Sequence, residues 1–205
     1  VVMGTEKKSH VVNDKDKMIT SYHEAGHAIV SYFLPTQDPV HQISIIPRGM
    51  AAGYTMYLPT EEKGHTSKNQ MIEQICSLLG GRAAEQLTQD DVCTGASNDI
   101  DRATDLARKM VTKFGMSETI GLINYDNDSD EVFIGKDLVH ASRGYGEQVA
   151  TTIDQEVKRI IDESYQRARY IIKKYDTVLE ACANLLLFPI TKLSNVYFGF
   201  KKLLL

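Results

Sequence analysis

Apolar residues recur at spacings of three and four along the first clear segment of the chain, at Met18, Tyr22, Ala25, Ile29 and Phe33. That is the period of a helix with one buried face. Asn13 stands ahead of the pattern as a cap with Asp16 three residues on, and Pro35 follows the last turn. The pattern predicts a helix over roughly residues 14–34. The period then drops to two. In HQISIIPRGMAAGYTMYLP, Ile43 and Ile45 alternate with polar neighbours, and Tyr54, Met56 and Leu58 do the same beyond a Pro/Gly turn. This predicts a small hairpin or two edge strands.

Helical spacing returns from about Ser67, with Met71, Ile72, Ile75, Leu78, Leu79 and Leu87 on one broad stripe. The pair Gly80-Gly81 falls inside it, at a cost of about 1 kcal/mol each against alanine, which points to close approach of another backbone. TGASNDIDRATDLARKMVTKFG supplies cap candidates at Ser97 and Asn98, an acidic first turn, a basic last turn and Gly115 as a stop. LINYDNDSDEVFIG reads as strand, polar turn, strand. From about Gly146 to Tyr175 a stripe through Val149, Ile153, Val157, Ile160, Ser164, Ala168 and Ile171 predicts a long helix, and a final helix starts near Asp176. The expected fold is mainly α with a small β-sheet.

With 205 residues, the chain is expected to form one domain, or one with an appendage. Its net charge of −4 and scattered lysines and arginines give no reason to expect a nucleic-acid partner. Cys76, Cys93 and Cys182 are far apart and form no CxxC, so neither a disulfide framework nor a thiolate metal cluster is suggested. There is no leader-like start and no uninterrupted apolar run of about 18 residues, so a soluble chain is expected. The opening VVMGTEKKSH has no methionine at position 1, as a fragment of a longer protein would look.

The candidate chemistry lies in the first helix, in SYHEAGHAIVSYF. His23 and His27 are four apart and share a helix face, so both imidazoles can reach one ion, with Glu24 beside it. In this HExxH arrangement zinc lowers the pKa of a water and the glutamate takes its proton as it attacks a peptide carbonyl. Chance alone places HExxH in on the order of one per cent of chains this long, so the helical context matters. Gly26 inside the motif leaves room for another element to approach the metal face.

A hydrolytic zinc site usually has three protein ligands and an open position. AIVSYFLPTQ offers no third ligand after His27. His10, His41, His65 and His140 sit in polar, turn-like contexts that suit solvated histidines. Two carboxylates on helices near glycines are better placed, Glu85 in GGRAAEQL and Asp99 in TGASNDIDRAT. Asp101 and Asp105 read as solvated charges complementing the helix dipole.

HEAGHA, IIPRG, GGRAAE and TGASNDIDRATDLARKMVTKFGMS, in this order, resemble the peptidase domain of the FtsH family of membrane-anchored AAA+ ATP-dependent zinc metalloproteases, from about His10 to about Leu187. The resemblance implies a helical metalloprotease domain with an HExxH helix, an edge β-hairpin and a C-terminal helical bundle. It implies one zinc per chain held by His23, His27 and Asp99, with Glu24 as general base. Glu85 remains the runner-up for the third ligand, beside its plainer reading as a packing carboxylate or one that holds a zinc-bound histidine by its free N–H. The hairpin over residues 42–58 gains a reading as an edge that aligns an extended peptide, beside the plain one of an edge strand blunted by Pro47.

The resemblance also implies an attached AAA+ ATPase and transmembrane segments, while this sequence contains neither a GxxxxGK[ST] loop nor a span. Residues 1–12 are therefore expected to be a linker from the ATPase module, 13–187 the zinc peptidase domain, and 188–205 (FPITKLSNVYFGFKKLLL) an atypical C-terminal tail. ATP would act only through the missing module. The implied substrates are unfolded or membrane-extracted proteins, in protein quality control. The implied assembly is a homo-hexamer, and the implied location is the bacterial inner membrane with this domain on its cytoplasmic side. A catalytically silent zinc-containing assembly or substrate-holding domain is the alternative, and a helical interaction domain with incidental histidines is a third.

Overall fold

A computed structural model describes residues 13–47, 52–59, 61, 64–89, 92–126 and 145–187. Helix α1 runs Asp14–Tyr32, capped as the sequence predicts: the Asn13 side chain accepts from the Asp16 N–H at 2.7 Å. Asp14 and Asp16 lie in its first turn, where carboxylates favour the helix dipole. From His23 to Ser31 every residue is buried, so α1 is the central helix of the fold rather than a surface one.

Strands β1 (Val40–Ser44) and β2 (Tyr54–Tyr57) pair antiparallel, with Ile43 opposite Thr55, Ser44 opposite Tyr54, and a bulge between Val40 and Gln42. This is the predicted hairpin. The single stripe read from Ser67 to Leu87 is two helices, α2 (Lys68–Leu78) and α3 (Gly80–Thr88). The break is one residue, Leu79, whose ψ of −4° opens the turn just where Gly80 and Gly81 weaken helical preference. Ser67 and Gln70 close a capping box at the start of α2.

A 3-10 turn over Thr94–Ala96 leads into α4 (Ser97–Thr112), whose N-cap is Ala96 without a side-chain bond, not Ser97 or Asn98. Thr94–Ala96 already turn helically, so both candidates fall inside the helix. Gly115, at φ +60°, carries the chain out beyond α4 as expected. Helices α5 (Glu147–Lys174) and α6 (Asp176–Leu187) follow the predicted boundaries closely. Residues 122–126 contain no strand, and the rest of the predicted strand, turn, strand segment lies outside the described residues.

Two apolar clusters form the core. One packs Ala25, Ala28, Ile29 and Val30 of α1 against Ala83 and Ala84 of α3, the end of α5, and Leu179, Cys182 and Ala183 of α6. The other packs Ile75 of α2, Ala107 and Met110 of α4, and Ile153 and Val157 of α5. At about 1.5 Å per residue, α5 is long enough to join both. Glu73, buried on α2, accepts from the N–H and hydroxyl of Thr36 and from Arg167 of α5, so it ties the turn after α1 to the bundle. The observed fold is the expected mainly helical domain with a small sheet. No described helix is long and apolar enough to cross a membrane.

Candidate metal centre

The HExxH residues are placed by the close approach of α1 and α3. Cβ atoms built on Gly26 and Gly80 would stand 2.5 and 2.8 Å from the carbonyl oxygen of the opposite glycine, and the Gly81 Cα faces the His23 ring. Sequence reasoning gave these glycines that purpose without naming their partner. The contact is with each other.

His23, His27 and Asp99 converge. The His23 Nε2 lies 3.0 Å from His27 Nε2 and 3.3 Å from Asp99 Oδ2, and His27 Nε2 lies 3.2 Å from the same oxygen. Behind the rings the partners are acceptors. His23 Nδ1 meets Glu85 Oε1 at 2.7 Å and His27 Nδ1 meets the Ser77 carbonyl at 2.8 Å. A carboxylate and a carbonyl only accept, so each Nδ1 carries a proton, and Nε2 is the nitrogen that a neutral ring leaves free for a metal. With both rings neutral, two lone pairs and a carboxylate oxygen face one another without a donor between them. That is a place for a cation. Tetrahedral bonds of about 2.05 Å hold neighbouring donors about 3.3 Å apart, and the three separations of 3.0 to 3.3 Å fit that edge.

The electrostatics favour a positive charge here, a proton or a cation in its place. Burial works against a proton on His23, yet the bonds to Asp99 and Glu85 and the charge of Glu24 outweigh it and draw its pKa up to about 9, so a metal that takes Nε2 displaces that proton. Burial likewise opposes ionisation of Asp99, and the two histidines outweigh it, holding the carboxyl well below the usual range. Glu24 differs: burial dominates and pushes its pKa up. Its Oε2 accepts from the Thr55 hydroxyl of β2 at 2.7 Å.

Glu85 stands behind His23, away from the point of convergence, and its Oε2 is approached by Arg82 and by the Cys93 N–H. His41 and His65 are exposed, while His10 and His140 lie outside the described residues. Asp101 is exposed on α4, as is Asp105. Thr55, Ser77 and Tyr57 were not singled out from the sequence. The one signal was that Thr55 and Tyr57 alternate with the apolar Tyr54 and Met56 in the strand.

A cleft of about 910 Å³ opens over these groups between β2, α2 and the start of α4. Its walls include Gln37, Tyr57, Gln74, Thr94, Asn98 and Arg102. A groove of this size beside a cation site can hold an extended chain segment.

Comparison with known proteins fits this geometry. The family model of peptidase family M41 matches residues 10–191. The chain belongs to peptidase family M41. Membership carries the enzyme class to which HExxH pointed, a peptidase. Similar proteins include the ATP-dependent zinc metalloprotease FtsH of Caldicellulosiruptor bescii, 53% identical over 91% of this chain and 30% of its own length. The ATP-dependent zinc metalloprotease FtsH 1 of Thermoanaerobacter sp. strain X514 is 53% identical over 85% of this chain and 28% of its own length. The Thermotoga maritima FtsH is 48% identical, with 91% and 31% covered. This M41 chain thus spans under a third of each of these three relatives.

Proposed function

We propose that this chain is the proteolytic domain of an ATP-dependent zinc metalloprotease, with one zinc per chain held by His23, His27 and Asp99 and with Glu24 as general base. The convergence of His23 Nε2, His27 Nε2 and Asp99 Oδ2 on one point carries this reading. The zinc would supply Lewis acidity, polarising the scissile carbonyl and acidifying water. Glu24 takes a proton from the attacking water and passes it to the leaving amine nitrogen as the C–N bond breaks. Glu85 and the Ser77 carbonyl fix the tautomers that turn both Nε2 atoms inward.

The larger setting belongs to the same proposal. The substrates are unfolded or membrane-extracted proteins, in protein quality control, fed by an attached AAA+ ATPase through which alone ATP acts. The working assembly is a homo-hexamer at the bacterial inner membrane with this domain on the cytoplasmic side, and residues 13–187 form the peptidase unit between a linker and an atypical tail. The names of the similar proteins support the ATPase partnership and the metal.

Replacing Glu24 with glutamine is the test. The variant is expected to keep its zinc and to digest casein about 10²- to 10⁴-fold more slowly. Digestion at the parent rate would leave the catalytically silent alternative in its place, with the casein loss assigned to a contaminant.

A further inference from the structure

The inward face of β2 reaches both working halves of the site. Residues 53, 55 and 57 alternate along the strand and its approach, so they point to one side. At Gly53 a Cβ would stand 2.9 Å from Glu24 Oε1, so the missing side chain is what leaves that oxygen its space. The Thr55 hydroxyl donates to Glu24 Oε2 at 2.7 Å and reaches the Glu24 carbonyl oxygen at 3.1 Å. One hydroxyl therefore ties the side chain and the backbone of the same residue to the strand.

Two residues on, Tyr57 enters a closed ring of three hydroxyls. Ser31 Oγ lies 3.2 Å from Tyr57 Oη and 2.5 Å from Ser77 Oγ, and Tyr57 Oη lies 3.3 Å from Ser77 Oγ. With Ser31 donating to Tyr57, Tyr57 to Ser77 and Ser77 to Ser31, each hydroxyl donates once and accepts once. Ser31 and Ser77 are 2% and 6% exposed, so water is a poor substitute for a lost member. Ser77 is also the residue whose carbonyl holds His27 Nδ1, and Ser31 sits one turn beyond His27 on α1. The ring joins α1, α2 and β2 at the support of one candidate ligand.

We propose that Thr55 and Tyr57 are positioning residues with separate duties: Thr55 sets the rotamer of the base Glu24, and Tyr57 locks the Ser77 carbonyl that orients His27 towards the metal. Because both sit on the strand that walls the cleft, a peptide lying along β2 is registered against base and metal by one rigid element. This rests on the zinc peptidase reading above.

The experiment measures zinc affinity by competition with a chromogenic chelator, and kcat and KM on an unfolded casein peptide, for the 205-residue chain and its variants. Thr55→Val is expected to keep the parent zinc Kd and KM while kcat falls about tenfold or more, and Thr55→Ser, which restores the hydroxyl, is expected to recover it. Tyr57→Phe is expected to weaken zinc binding about three- to tenfold, less than the loss usual for a group touching a ligand directly. Melting in chelator should match the parent for Thr55→Ser and fall by no more than a few degrees where a buried hydroxyl is lost. If Tyr57→Phe melts early, Ser31→Ala opens the same ring from α1 and supplies the reading, with weaker zinc binding expected. Parent values of zinc Kd in the ring variants, or of kcat in Thr55→Val, would overturn the proposal. A parent chain that binds no zinc would instead overturn the reading beneath it.

Discussion

Gly26 on α1 and Gly80 on α3 touch backbone to backbone, each occupying the place where the other's side chain would begin. The contact sets how near α3 can come to the face of α1 that carries His23 and His27, and with it the distance from Glu85 to His23. A Cβ on Gly80 meets backbone atoms, which cannot swing aside as a flexible side chain can. Gly80→Ala is therefore expected to destabilise the fold by about 1–3 kcal/mol, read as a lower urea midpoint at unchanged slope.

Gly81 acts on the ring rather than on the backbone. A Cβ there would stand 2.6 to 2.7 Å from three atoms of the His23 imidazole. Gly81→Ala is expected to push the ring off the point where it meets His27 and Asp99, lowering zinc affinity at least about tenfold while the chelated protein melts close to the parent. Chelator competition and a melting curve separate the two effects.

Glu73 holds the opposite wall of the cleft. It is 1% exposed and accepts from Thr36 N at 2.9 Å, Thr36 Oγ1 at 2.6 Å and Arg167 Nη2 at 2.9 Å, and Thr36 lines the cleft. Glu73→Ala strands the Thr36 N–H and loosens the turn after α1. A loss of about 2–4 kcal/mol is expected in urea unfolding, together with a raised KM as the cleft wall shifts.

Acid stability should report Glu156. Arg159 first and Ser117 second hold its carboxyl down to about 2 from the ordinary 4.5. Because the folded value lies below the unfolded one, the contribution is complete above about pH 4.5 and is lost as the pH falls towards 2. Glu156→Gln is expected to be less stable than the parent by about 1–2 kcal/mol near neutrality, with the gap closing on acidification through that window. Urea unfolding at several pH values checks the convergence.

Much of this was legible in the sequence because periodic burial and caps are local signals. Asn13, Pro35 and the apolar stripes bounded α1, α5 and α6 to within about two residues. Gly26 and Gly80 announced a close approach because a glycine inside a helix has a cost that something must offset. The break at Leu79 was hidden, since both helices on either side of it share one apolar stripe. The cap of α4 was misread because a 3-10 turn already winds the residues before Ser97. Thr55 and Tyr57 are marked only by their alternation with Tyr54 and Met56, and Ser31 and Ser77 carry no such mark. A hydroxyl becomes informative only when its partner is known, and these partners lie 20 to 46 residues apart in the chain.

The most direct test of the central claim is zinc per chain, by elemental analysis after exhaustive dialysis, for the parent and for Asp99→Ala and Glu85→Ala. The account predicts about one zinc in the parent, loss of it with Asp99→Ala, and retention, at reduced affinity, with Glu85→Ala. A parent chain without zinc after refolding in its presence, or an Asp99→Ala variant that keeps its zinc as tightly as the parent, would contradict it.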